Sequence, residues 1–177
     1  MSKVAIIGNA GGGKSILALQ LGTALRLPVY VIDNIQWQAG WRLTSPRVVA
    51  ATHTTWLAGS EWIIDGWGAW ELIEQRFDEA DTIVVVDFPI RVHYRWALQR
   101  QVLAALGLTK GWPPHGCKAL PVTLRLLKVM RYVNQELRPR LLSLASQERF
   151  RSRVVHLRSP RELRMFRKRA IESQGAR

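Results

Sequence analysis

The stretch "VAIIGNAGGGKSILALQLG", residues 4–22, decides the fold. An aliphatic run stops at Gly8, a loop of glycine and small residues follows, and Lys14-Ser15 opens an apolar run of helical character. Within it "GNAGGGKS" (8–15) fits the pattern G-x-x-x-x-G-K-[ST]. Glycines let successive backbone N–H groups turn inward around a phosphate, and the helix N-terminus behind them adds its positive dipole. Gly8, Asn9, Ala10, Gly11, Gly12 and Gly13 are the expected cradle, Lys14 a point charge for the β- and γ-phosphates, and Ser15 a hydroxyl ligand for Mg²⁺. A dinucleotide loop would need G-x-G-x-x-G, and the frame starting at Gly8 has alanine at position 10.

Outward from the loop, strand-like and helix-like segments alternate. "KVAII" (3–7), "PVYVID" (28–33), "EWIID" (61–65), "DTIVVVDFP" (81–89) and "RVVHLRS" (153–159) read as strands. The fourth has no polar alternation, as expected of a strand covered on both faces. Helices are expected over 14–25, 44–59, 69–79, 90–106, 122–138 and 159–172. Ser45-Pro46 and Ser159-Pro160 open two of them, the second with Glu162 at the capping-box position. Five strands alternating with helices predict an α/β fold with a parallel sheet between helical layers. The only long break is "GLTKGWPPHGCKALP" (107–121), a candidate lid. With no repeat or linker, residues 1–177 are expected to be one kinase-like domain.

The net charge of +13 is unevenly placed. Residues 1–90 carry 6 Lys and Arg against 9 Asp and Glu, whereas residues 91–177 carry 20 against 4. Such asymmetry points to a polyanionic partner: a nucleotide, a nucleic acid or an anionic surface. The start has no signal-peptide pattern, no segment has the length and apolarity of a membrane span, and the single Cys117 suits a reducing compartment; a cytoplasmic protein is expected. His115 and Cys117 lie close together, but two residues do not make a zinc site.

In a parallel sheet ligands bind beyond the carboxyl ends of the strands. Asp33, Asp65 and Asp87 end the second, third and fourth strands. One carboxylate near Mg²⁺ would hold its water ligands, and another would orient an acceptor hydroxyl or take its proton. Asp65 and Asp87 fit the magnesium role equally well on these grounds. "IIDGWG" also matches the D-x-x-G of GTP-binding switch proteins, but no N-K-x-D stretch is present to read guanine. Arg91 and Arg95, four residues apart, share a helix face, with Arg100 at the far end; planar guanidiniums suit a triphosphate. Trp37, Trp41, Trp67 and Trp70 follow the ends of the second and third strands, where an acceptor would lie. On the last helix Arg161, Arg164 and Lys168 share a basic face, opposite Leu163, Phe166 and Ala170.

The order of phosphate loop, "VYVIDNIQWQAGW", "EWIIDGWGAWELIEQRFDEADTIVVVDFP", basic helix, Gly-Cys lid and "RVVHLRSPREL" resembles the small P-loop proteins called DNA topology modulation proteins or adenylate-kinase-like ATPases. The likeness runs from about residue 3 to 170. It implies the nucleoside-monophosphate-kinase fold, with a five-stranded parallel sheet in order 2-3-1-4-5. It also implies Asp65 over Asp87 as the magnesium-side acid and Asp33 as the acceptor-side acid. Arg95 and Arg100 are implied to reach ATP from the lid, and Arg76 to match a recurring arginine. Two positions depart from the pattern. Adenylate kinases follow the strand-end Asp-Gly with Phe-Pro-Arg, where this chain has Trp67-Gly68-Ala69; and the lid carries Lys110 and Lys118-Ala119 where an arginine and an acid are usual. The expected activity is phosphoryl transfer from ATP with Mg²⁺ to a small nucleoside- or nucleotide-like acceptor held by Asp33, Trp37, Trp41, Trp67 and Arg76. The alternative is a DNA-associated ATPase with slow hydrolysis.

Overall fold

The computed structural model describes residues 1–109 and 112–175. Five parallel strands form the central sheet: β1 (Lys3–Gly8), β2 (Val29–Val31), β5 (Trp62–Asp65), β6 (Thr82–Val86) and β7 (Val154–Leu157). Their order is β2-β5-β1-β6-β7, which in chain order of the sheet's own strands is 2-3-1-4-5. Strands β3 (Trp37–Gln38) and β4 (Arg42–Leu43) pair separately as a short antiparallel hairpin.

Alternation along the central strands sends apolar residues to both faces, because both are covered. Ala5, Ile7, Trp62, Ile64, Ile83 and Val85 face one layer. They meet Ile73 and Phe77 of α4 (Trp70–Glu79), Leu141 and Leu144 of α7 (Arg138–Ala145) and Phe150. Val4, Ile6, Ile63, Val84 and Val86 face the other layer. There they meet Leu17, Ala18 and Leu21 of α1 (Lys14–Leu25) and Leu163 and Ala170 of α9 (Pro160–Gly175). The result is a three-layer α/β fold whose middle strand feeds the phosphate loop.

Element boundaries depart from expectation in two places that bear on the site. The second strand stops at Val31, because its register partner there is Asp65, the last residue of β5. With no strand left to pair, the chain turns into α2 (Ile32–Gln36), which buries Ile32 and lifts Asp33 onto a helical first turn. The helix expected over 122–138 is α6 (Thr123–Tyr132), and it runs through a π-turn (Val133–Leu137) directly into α7. Pro139 lacks the N–H that an α-helix would need there, and the wider turn just before it absorbs the misfit. The remaining helices are α3 (Pro46–Leu57), α5 (Ile90–Ala105) and the short α8 (Glu148–Arg151). At the start of α9 the Glu162 amide donates to Ser159 Oγ, as in a capping box, while the Glu162 carboxylate accepts from the Ser159 hydroxyl and from the Arg158 amide one residue before the cap. Among the described residues no helix is long and apolar enough to cross a membrane.

Candidate active site

The loop from Gly8 to Gly13 is pinned from outside by its carbonyls. Trp67 Nε1 donates to the Gly8 carbonyl (2.8 Å), Lys14 Nζ to that of Asn9 (2.9 Å) and His93 Nδ1 to that of Ala10 (3.0 Å). Burial, with Lys14 adding to it, lowers the His93 pKa to about 4, so the ring is neutral at pH 7 and the contact to a carbonyl assigns its proton to Nδ1. Asn9 Nδ2 donates to the Met130 carbonyl on α6 (2.8 Å), tying the loop to that helix. Gly11 has φ 68°, and a Cβ on it would lie 2.3 Å from the His93 carbonyl oxygen. Gly13, at φ 76°, caps α1 without any side-chain hydrogen bond, and the first turn carries no acid. The first amides of α1 are thus left for an anion.

Ser15 Oγ donates to Asp65 Oδ2 at 2.5 Å, while Asp65 Oδ1 is buried without a hydrogen-bond partner. A hydroxyl and a carboxylate side by side are the hard oxygen donors that Mg²⁺ takes in small number from protein, the rest coming from water and phosphate. The donor set fits that ion. Asp33 opens onto the same cavity from α2. Protein crowds its carboxylate elsewhere, and desolvation together with the Asp65 charge raises its pKa against the pull of Lys14 and Arg100. Burial lowers the pKa of Lys14, although Asp65 and Asp33 oppose it.

The cavity that joins these groups measures about 210 Å³. Its far wall is built by segments remote in sequence. Trp37 and Trp41 come from the hairpin, Arg100 from α5, Trp112 from the 107–121 segment, and Arg125, Leu126 and Val129 from α6. Arg100 lies flat over Trp112, its Cζ 3.8 Å from the ring centroid. Burial lowers its pKa, opposed by Asp33 and then Asp65. Gln101 fixes Trp112 by accepting from its indole N–H (2.8 Å) and donating to the Ala119 carbonyl (2.8 Å). Residues 116–118 stand against the hairpin. Gly40 N–H donates to the Gly116 carbonyl (3.0 Å), Trp41 Nε1 to that of Lys118 (2.9 Å), and Cys117 Sγ to that of Gln38 (3.4 Å).

Of the residues proposed from sequence, the structure gathers Asn9, Ala10, Lys14, Ser15, Asp33, Trp37, Trp41, Asp65, Trp67 and Arg100 on this cavity. Five others, Arg76, Asp87, Arg91, Arg95 and Trp70, lie elsewhere. Arg91 and Arg95 are exposed on α5 away from its lining. At roughly 100° per residue, a position nine beyond Arg91 is half a turn round the helix, so a helix that turns Arg100 inward turns Arg91 out. Arg76 is wholly buried behind the loop after β5, where its Nη2 donates to the Trp67 carbonyl (3.0 Å). Burial lowers its pKa to about 10 despite Asp65, and it supports Trp67 rather than facing a ligand. Asp87, the second choice for Mg²⁺, is held by Arg138 (Nε to Oδ1 2.5 Å, Nη2 to Oδ2 3.0 Å) and by His156 Nε2 (2.9 Å). Its oxygens are committed to those groups, and it does not line the cavity. Trp70 packs beneath the sheet, its indole N–H on Glu74. Lys110 lies outside the described residues. His93, Trp112 and Arg125 were not foreseen; none belongs to a motif. Among the described residues no group of three or more His, Cys, Asp or Glu is gathered as a metal cage.

No protein-family model matches the sequence, and no curated protein matches it. Solved structures match by shape. An uncharacterised protein from Eubacterium ventriosum aligns over 98% of both chains with a TM-score of 0.51 at 12% identity. Shikimate kinase from Acinetobacter baumannii, solved in complex with shikimate, aligns over 99% of this chain and 94% of its own. There the TM-score is 0.53 at 11% identity. These likenesses show the three-layer α/β fold of P-loop NTPases.

Proposed function

We propose that the protein is an ATP- and Mg²⁺-dependent phosphotransferase that moves the terminal phosphoryl group of ATP to a hydroxyl of a small acceptor. The observation that carries this reading is the convergence of Lys14, the Ser15–Asp65 pair, Asp33 and Arg100 on one cavity. The amides of the loop and of the first turn of α1 hold the phosphates, and Lys14 swings from the Asn9 carbonyl to the β- and γ-oxygens. Ser15 and Asp65 would hold Mg²⁺, which when bound draws charge from those oxygens. Asp33 accepts the acceptor's hydroxyl proton, a task suited to a carboxylate whose pKa is raised. The hydroxyl oxygen bonds to the γ-phosphorus as the bond to the β–γ bridging oxygen breaks, and ADP leaves. Arg100 neutralises charge on the group in flight. The protein supplies position and charge, with no covalent intermediate.

Membership of the adenylate-kinase-like, DNA-topology group, action as one catalytic domain and residence in the cytoplasm are parts of the same proposal. A second reading, a DNA-associated ATPase, is favoured by the exposed Arg161, Arg164 and Lys168 on α9. The deciding experiment measures ADP release from Mg-ATP with pooled small hydroxylated compounds, nucleoside monophosphates or duplex DNA. Stimulation by a small-molecule pool that disappears in Lys14→Ala is the expected result. Stimulation by DNA alone favours the second reading.

A further inference from the structure

Between Asp87 and Glu136 the chain carries eight Lys and Arg and no Asp or Glu. The same stretch exposes apolar side chains: of the fifteen large apolar residues exposed among the described residues, eight lie between Leu98 and Tyr132. They fall into stripes. At roughly 100° per residue, Arg91, Arg95, Leu98, Val102 and Leu106 occupy a face of α5 and its cap about 80° wide, and all five are exposed. On α6, Leu124, Lys128 and Arg131 line up at intervals of four and three and are exposed as well. Gln101 joins the two helices, donating to the Ala119 carbonyl (2.8 Å) and to the Thr123 hydroxyl (2.9 Å). The residue that follows each of these three is apolar and more than half exposed: Val102 (58%), Leu120 (59%) and Leu124 (76%). The two stripes therefore meet at one seam.

A contiguous exposed apolar patch marks an interaction, and the charge around it selects the partner. Arg91, Arg95, Lys128 and Arg131 take part in none of the ion pairs of the described residues. A second copy laid face to face on this surface would bring cations against cations, with no acid between Asp87 and Glu136 to meet them. A nucleic acid would use the cations and leave the aliphatic side chains without a role. An anionic bilayer surface uses both, because its headgroup phosphates pair with Lys and Arg while aliphatic side chains enter the acyl boundary. We propose that the α5–α6 face docks on an anionic lipid surface, with Leu98, Val102, Leu106, Leu120 and Leu124 inserted and Arg91, Arg95, Lys128 and Arg131 on the headgroups. None of these nine residues lines the cavity, so docking is separable from phosphoryl transfer and does not rest on the kinase reading.

The test is flotation of the full chain with vesicles of phosphatidylcholine alone and of phosphatidylcholine with about 30 mol% phosphatidylglycerol. Binding to the anionic vesicles is expected to exceed that to the neutral ones about tenfold or more and to fall as salt is raised. The double variant Val102→Gln with Leu124→Gln should weaken it about tenfold, and so should Lys128→Gln with Arg131→Gln. All four side chains are exposed, so the fold is retained, which thermal unfolding checks. Arg161→Gln with Arg164→Gln removes the same charge from α9 and should change binding by less than about twofold. Equal binding to both vesicles, binding to neither, or an equal loss from the α9 pair overturns the proposal. Anionic binding that survives Val102→Gln with Leu124→Gln also overturns it, since charge alone would then suffice, as it would for duplex DNA. A dimer in sedimentation that this variant dissolves overturns it in favour of a second copy. ADP release is not part of the readout, so failure here leaves the kinase reading standing.

Discussion

β5 and β6 flank the P-loop strand on either side, and each delivers an aspartate to the same edge of the sheet. The two ends have opposite fates. Asp65, which lines the cavity, keeps one oxygen on Ser15 and the other buried without a hydrogen-bond partner. Asp87 has both oxygens taken by Arg138 and His156; burial would raise its pKa, but the hydrogen bonds and charges of those two groups hold it low. A carboxylate at a strand end is therefore available for chemistry only where the neighbouring strand and helix leave it unpaired. On the Asp87 side β7 brings His156 and the start of α7 brings Arg138, and the site there is closed by protein.

That contrast is open to direct attack. The largest expected effect is that of Asp65→Asn, which should lower ADP release about 10³-fold, near 4 kcal/mol, in steady-state assays. Asp87→Asn should leave turnover within about threefold of the parent, and a large loss there would show that the second aspartate is also functional. Its cost should be in stability, about 1–2 kcal/mol from the broken charge pair, read from urea unfolding. Asp33 tests the proton route. Its pKa is raised in the folded protein, so kcat/KM should climb with pH through a value above the ordinary carboxylate range, and Asp33→Asn should abolish that limb. The smallest effect is at the opposite edge of the sheet, where Asp81 accepts from the Ser2 and Lys3 amides. Burial alone would raise its pKa, but these bonds and those of Thr82 and the Ser2 hydroxyl bring it to about 2. Its contribution, about 1 kcal/mol after discounting for its exposure, is complete above the unfolded-state pKa near 3.8 and is lost as pH falls toward 2. Asp81→Asn should flatten that part of the acid unfolding curve.

The donor half of the site was legible because its parts are contiguous and each residue type is dictated by backbone geometry. Gly11 and Gly13 must be glycine, and Lys14-Ser15 must follow them. Asp65 was legible because strand ends in a parallel sheet face one edge, though only the pairing of Asp87 separates the two candidates. The acceptor half is assembled from residues that nothing local marks. Arg125 reads as an ordinary exposed arginine on an amphipathic helix, and Trp112 sits in a loop with no period. Arg91 and Arg95 drew attention by their spacing, yet spacing says which residues share a face and not which way that face turns. Asp33 was assigned to a strand end because "VYVID" has no internal stop signal; what ends the strand is the length of β5, which lies 30 residues on.

The contacts between the hairpin and the 107–121 segment have a practical consequence. Cys117, the only cysteine in the chain, lies in that seam with its thiol on the Gln38 carbonyl. A thiol held there reacts with an alkylating reagent faster when the seam parts and slower when it is shut. One alkyl group per chain, read by mass spectrometry, would therefore report whether that seam is open or shut without an introduced label.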